Sequence, residues 1–165
     1  MLEGEIRTWK PDIIAGAIAI IAVMAALLSG QFTTTPALPW YETLAKPGFN
    51  PPNWVFAEVW ATLYALMAYS LFRVLRMREQ SQERTRAIVL FFVMLALNAA
   101  WSWMFFGARS PLLGLINIVL QLAITLVTLA AFWKLNKIAA LCIVPLGGWI
   151  AFATVLNFSI WWLNR

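Results

Sequence analysis

Apolar positions in this chain gather into five long runs, at about 13–28, 54–75, 87–107, 112–133 and 138–163, separated by short polar gaps. A hydrocarbon layer about 30 Å thick is crossed by roughly 20 mostly apolar helical residues. The pattern therefore predicts an all-α integral membrane protein, a bundle of five transmembrane helices forming one domain over residues 1–165. One connection is long: residues 29–53 carry Pro36, Pro39, Trp40, Tyr41, Pro47, Gly48, Phe49, Pro51 and Pro52. Prolines restrict such a segment and its rings are poorly placed in water. It is expected to form a folded loop over one end of the bundle, either as a lid or with its rings among lipid headgroups.

Composition sharpens this picture. Of 165 residues, 62% are hydrophobic and 12% charged, well below the charged quarter typical of soluble domains. The formal charge of +5 does not point to nucleic acid, because the basic residues fall between apolar runs. Numbered through five crossings, the side of the N-terminus collects Arg7, Lys10, Arg73, Arg76, Arg78, Arg84, Arg86, Lys134 and Lys137, against Lys46, Arg109 and Arg165 on the other. That imbalance places the N-terminus in the cytoplasm and the C-terminus outside, as in a bacterial inner (cell) membrane protein. The first run resembles a signal peptide in length, but Glu3, Glu5 and Asp12 dilute its basic head, and it is read as a retained span. With no His and a single Cys142, neither a disulfide nor a zinc site of ordinary spacing is expected. Haem ligation, catalytic triads and phosphate loops are not indicated either, and no cofactor is expected.

With direction assigned, polar and aromatic positions converge in depth. Phe56, Glu58, Trp60 and Tyr64 lie in the outer half of the second span, Asn98, Trp101, Ser102 and Trp103 toward the outer end of the third, and Asn117, Gln121 and Asn157 in the outer halves of the last two. Phe56, Trp60, Tyr64 and Met67 recur at helical spacing, as do Trp149, Phe152, Ala153 and Leu156 with Asn157 adjoining. One such stripe alone more often serves helix packing than ligand contact. Convergence of both stripes with amides and the aromatic loop favours a concave ligand pocket. Counted from the outer ends of their spans, Trp60 and Trp149 should differ in depth by about 12 Å. Glu58 is the only acidic residue inside a span, and it either reaches the interface or serves a ligand. Trp9, Trp133, Trp161 and Trp162 stand at span ends, as interfacial anchors do.

Taken together, Trp40-Tyr41, Leu44, Lys46-Pro47, Pro51-Pro52, Phe56, Trp60 and Leu63-Tyr64, then Leu97-Asn98, Trp101-Ser102 and Phe105-Phe106, then Pro145, Trp149, Phe152-Ala153 and Leu156-Asn157 resemble the signature of the translocator proteins, also called tryptophan-rich sensory proteins. The resemblance implies a five-helix bundle, often a homodimer, whose pocket under the first loop binds porphyrins such as protoporphyrin IX and, in relatives, cholesterol and benzodiazepine-type drugs. It assigns ligand contact to Trp40, Trp60 and Trp149, with Asn98 and Asn157 as polar partners; Tyr41, Phe56, Tyr64, Trp101 and Phe152 complete the candidate ligand-binding set. Phe49 stands where many relatives have Trp and Leu146 where many have Tyr, so the resemblance carries binding further than catalysis. The cholesterol motif needs a Tyr where this chain offers Phe158.

The reading is a membrane receptor or sensor for tetrapyrroles and other flat hydrophobic ligands, in contact with membrane lipid. A porphyrin or lipid transporter and a light-dependent porphyrin-degrading enzyme are the alternatives. The orientation has a direct check. Reporter fusions after Arg78 and after Arg165 should report cytoplasmic and external locations respectively, and the opposite pair would invert the whole map.

Overall fold

The computed structural model describes residues 9–165, with side chains from Asp12 onward. Glu3, Glu5 and Arg7, and the side chains of Trp9 and Lys10, lie outside that range, so the expectations resting on them are not addressed by it. Six helices follow in order: α1 (Trp9–Thr43), α2 (Asn53–Leu75), α3 (Gln82–Ser102), α4 (Pro111–Leu135), α5 (Lys137–Leu141) and α6 (Val144–Leu163). A π-helical turn, Trp103–Gly107, prolongs α3. Five continuous helical stretches are long and apolar enough to cross a membrane, α5 and α6 together making the fifth, as the apolar runs predicted.

The first boundary differs from expectation. α1 runs on to Thr43 and carries Pro36 and Pro39 inside it, so the connection to α2 is residues 44–52 rather than 29–53. At 1.5 Å per residue its 35 residues extend about 52 Å, well beyond a hydrocarbon layer of about 30 Å. Each proline removes a donor to the carbonyl four residues back, a cost that local sequence reads as a break. Packing outweighs it: Ala37 and Tyr41, one turn apart, are buried against Phe105, Phe106, Leu156 and Ile160.

The spans form a ring in the order α1, α2, α5–α6, α4, α3, back to α1. α2 reaches the fifth span mainly through α5, where Ser70 Oγ donates to the Ala139 carbonyl at 2.7 Å. Towards the end that holds residues 44–52, hereafter the loop end, α2 and α6 draw apart. Elsewhere contact is close. α1 meets α3 at Gly30, where a Cβ would lie 3.1 Å from Ser102 Oγ. The main core, with Met67, Leu71, Phe91, Met94, Phe132 and Ile143 almost wholly buried, fills the half away from the loop end. There Arg84 is buried, its guanidinium donating to the carbonyls of Val74 and Leu75 at 3.0 and 2.7 Å and so closing the last turn of α2.

The π turn has a structural use. The Ala108 amide donates to the Trp103 carbonyl and the Ser110 amide to that of Phe105, ending the third span against α1 and α4 with adjacent Phe105 and Phe106 both buried, 1% and 9% exposed. Ser110 then caps α4, accepting from the Leu113 amide, and Gly114 passes directly beneath Phe105 and Asn157. A Cβ on Gly114 would stand 2.8 Å from Phe105 Cδ2 and 2.9 Å from Asn157 Oδ1. Gly114→Ala should therefore destabilise the bundle by about 1–3 kcal/mol and lower its melting temperature in detergent. Gly148→Ala, with no neighbour within 4 Å of its Cβ position, should leave it unchanged; equal melting for both would mean this contact is loose.

Candidate ligand-binding site

Where α2 and α6 separate, a cleft of about 430 Å³ opens between them, lined by Glu58, Val59, Thr62, Leu63, Pro145, Gly148, Trp149 and Phe152. Its floor on the α6 side owes its shape to two local features. Pro145 starts α6 at a position where no helical donor is needed, and Gly148 leaves the space beside Trp149 empty. Phe56 closes the cleft towards the loop end, its ring edge-on to Trp149 at 5.7 Å. Phe152 stands between Trp149, at 5.4 Å, and Phe49 of the connection, at 6.3 Å. These are wide faces that stay half-buried, the condition in which aromatic rings accept a further flat partner.

The ten side chains singled out from sequence fall into three neighbouring groups. Trp149 and Phe152 line the cleft, and Phe56 packs edge-on against Trp149 beside it. Trp60 and Tyr64 face the main core side by side, with ring centroids 5.5 Å apart, and the Tyr64 hydroxyl donates to Asn98 Oδ1 at 2.7 Å. The rest meet at the loop end: Trp101 stacks on Phe105 at 4.9 Å, Trp40 meets Phe105 edge-on at 5.7 Å, and Tyr41 packs against both Phe105 and Phe106. Phe56 and Phe152 also pack against this last cluster, which joins it to the cleft. Trp60 does not line the cleft itself. The contact between Phe56 and Trp149 puts those two rings on one level, so Trp60, four residues further along α2, lies only about 6 Å from that level rather than the expected 12 Å. The expectation assumed flush helix ends, whereas α6 overhangs the start of α2.

The overhang is filled by the end of α1 and by residues 44–52. Asn164 fastens them: its Oδ1 accepts from the Ala45 amide at 2.9 Å and its Nδ2 donates to the Ala45 carbonyl at 2.9 Å. Tyr41 completes the closure, its hydroxyl donating to Asn50 Oδ1 at 3.0 Å while Lys46 Nζ sits 4.6 Å above its ring. Asn157 joins three elements, accepting from Trp101 Nε1 at 3.1 Å and donating to the Pro111 carbonyl at 2.8 Å.

Several contributors were invisible to periodicity. Phe105 and Phe106 are buried together by α1 and α6, a contact that the repeat of one span does not contain, and nothing in the sequence marks Asn164 as a clasp. Asn117 and Gln121 were placed correctly on α4 but gain no partner: Asn117 Nδ2 and Oδ1 and Gln121 Nε2 are buried without a hydrogen bond among the described residues. Of the two departures from the family pattern, Leu146 is fully buried in the core, whereas Phe49 is half exposed.

Comparison with known proteins agrees with this arrangement. The model of the TspO/MBR family matches residues 17–163. A tryptophan-rich protein TspO of Chlorobaculum tepidum is 41% identical over 154 residues, covering 93% of this chain and 98% of the relative. The translocator protein of Homo sapiens is 33% identical over 156 residues, 93% of this chain and 89% of its own. A tryptophan-rich sensory protein of Cereibacter sphaeroides is 34% identical over 139 residues, covering 82% and 85%.

Proposed function

The chain belongs to the TspO/MBR family of integral membrane proteins, and we propose that it acts as a receptor or sensor that binds porphyrin-type tetrapyrroles and other flat hydrophobic molecules in the α2–α6 cleft. The observation that carries this reading is the cleft itself: a mostly apolar opening walled by Trp149 and Phe152, with Phe56 edge-on behind Trp149, near a loop end held by the Asn164–Ala45 clasp. Such walls suit a planar ring system, which gains from stacking on both faces. Trp60, Tyr64 and Asn98 lie one step further in and would meet a ligand that goes deeper. Trp40, Tyr41, Trp101 and Asn157 support the closed end. The name of the Cereibacter relative, a sensory protein, favours a signalling role over transport. The loop end is proposed to face the outside of a bacterial cell membrane.

Association between copies is part of the same reading. Ala22, Ala25, Ala26 and Ser29 of α1 and Phe92, Leu95, Ala96 and Ala99 of α3 border a shallow apolar groove on the outer face of the bundle. Small residues there let a helix of a second copy approach closely, giving a homodimer. Filling the groove with Ala96→Leu should shift the detergent-solubilised protein towards monomer, and an unaltered oligomer by sedimentation would remove this face from consideration.

Binding is tested by absorbance titration of the purified protein with protoporphyrin IX, followed by illumination. A receptor gives saturable binding without loss of the porphyrin bands, and rapid bleaching would favour the degrading enzyme instead. Trp149→Ala removes a stacking contact worth roughly 0.5–1.5 kcal/mol beyond its buried area, so affinity should fall about tenfold or more. Trp133→Ala, on an exposed ring outside the cleft, should bind like the parent. If Trp149→Ala also does so while folded, the ligand sits elsewhere.

A further inference from the structure

Among the described residues Glu58 is the only ionisable side chain lining the cleft. It belongs to α2, a membrane-crossing helix, and is exposed. Among the described residues no basic side chain comes within 4.0 Å of it, the only ion pair being that of Arg76 with Asp12. Thr62 does not neutralise it either, because its hydroxyl donates to the main-chain carbonyl of Glu58 rather than to the carboxylate. A carboxylate left unpaired in a spanning segment is costly and is characteristically retained for a ligand or ion. In this cleft it is the single polar group of fixed sign on an otherwise apolar and aromatic wall.

We propose that Glu58 sets the charge preference of the α2–α6 cleft, favouring flat apolar ligands that bear a cationic substituent over the carboxylate-bearing forms of the same ring. This rests on the reading that the cleft receives a flat apolar ligand, and adds which charge on that ligand the cleft favours. A protonated amine on the ring edge meets an opposite charge in a site of low dielectric, where the interaction is stronger than in water. A carboxylate on the same edge meets a like charge and finds no Lys or Arg among the lining residues. The net charge of the whole chain, +5, acts in the opposite sense, so a preference for cations has to be local.

Three ligands with one ring separate the effects: protoporphyrin IX, its neutral dimethyl ester, and its cationic bis-amide with ethylenediamine. They are titrated by tryptophan fluorescence quenching, with the protein in nanodiscs of zwitterionic lipid. The parent should bind the cation most tightly and the free acid least. Glu58→Gln should compress the spread between them about three- to tenfold, and Glu58→Lys should reverse the order. Glu79→Gln, which changes net charge equally but lies between α2 and α3 away from the cleft, should leave the order intact. Because Glu58 is exposed and unpaired, its variants keep the core, which their melting temperatures verify. An order that persists in Glu58→Gln, or that shifts equally in Glu79→Gln, overturns the proposal. If the parent binds none of the three porphyrins, the tetrapyrrole reading fails instead. The same variants are then titrated with 9-aminomethylanthracene and 9-anthracenecarboxylate, whose relative affinity for parent and Glu58→Gln decides the charge preference on its own.

Discussion

The loop end depends on polar side chains that pair between one helix and another. In hydrocarbon an unsatisfied amide costs several kcal/mol, and Asn98, Trp101 and Asn157 are each held to a partner on another element. Asn157 is the clearest instance. By accepting from Trp101 and donating to the Pro111 carbonyl, it binds α6 to α3 and to the first turn of α4 at one level. Gly114 lies against the same oxygen, where no larger residue would allow the approach. Trp101 is thereby fixed flat against Phe105, and Phe105 in turn supports Trp40 and Tyr41.

From that node the unusual course of α1 follows. A helix with two internal prolines lacks two of its own hydrogen bonds and has no reason of its own to continue to Thr43. It continues because Ala37 and Tyr41 find a wall of buried rings built by the π turn. The short connection that remains is then held to the end of α6 by Asn164, whose amide serves the backbone of Ala45 as a neighbouring strand would. A connection fixed at both ends in this way holds Phe49 against Phe152 at the margin of the cleft.

The two halves of the bundle consequently differ. Away from the loop end, α2, α3, α4 and α5 pack around Phe91, Phe132 and Met67 with no exposed surface on those side chains, and Arg84 closes the end of α2. Towards the loop end α2 and α6 meet only through side chains such as Phe56 and Trp149. A rigid half carries an open one, which is how a small bundle offers a ligand a preformed opening without losing its core.

Five crossings, the family and the aromatic and amide positions proposed for the site are legible in the chain as properties of local composition and helical repeat: long apolar runs, rings three and four residues apart, a signature spread over nearly the whole length. Tertiary structure alone decided the rest. Prolines at 36 and 39 signal a break, and only packing against residues more than sixty positions away reverses that signal. Adjacent Phe105 and Phe106 stand about 100° apart on a helix, and only the packing of α1 and α6 around them buries both. Depth counted along separate spans assumes that helices end together, and the overhang of α6, filled by α1, moved Trp149 level with Phe56. Which of the aromatic residues border the cleft and which support it is likewise a matter of how far two helices draw apart, a quantity set by contacts between segments and carried by no single one of them.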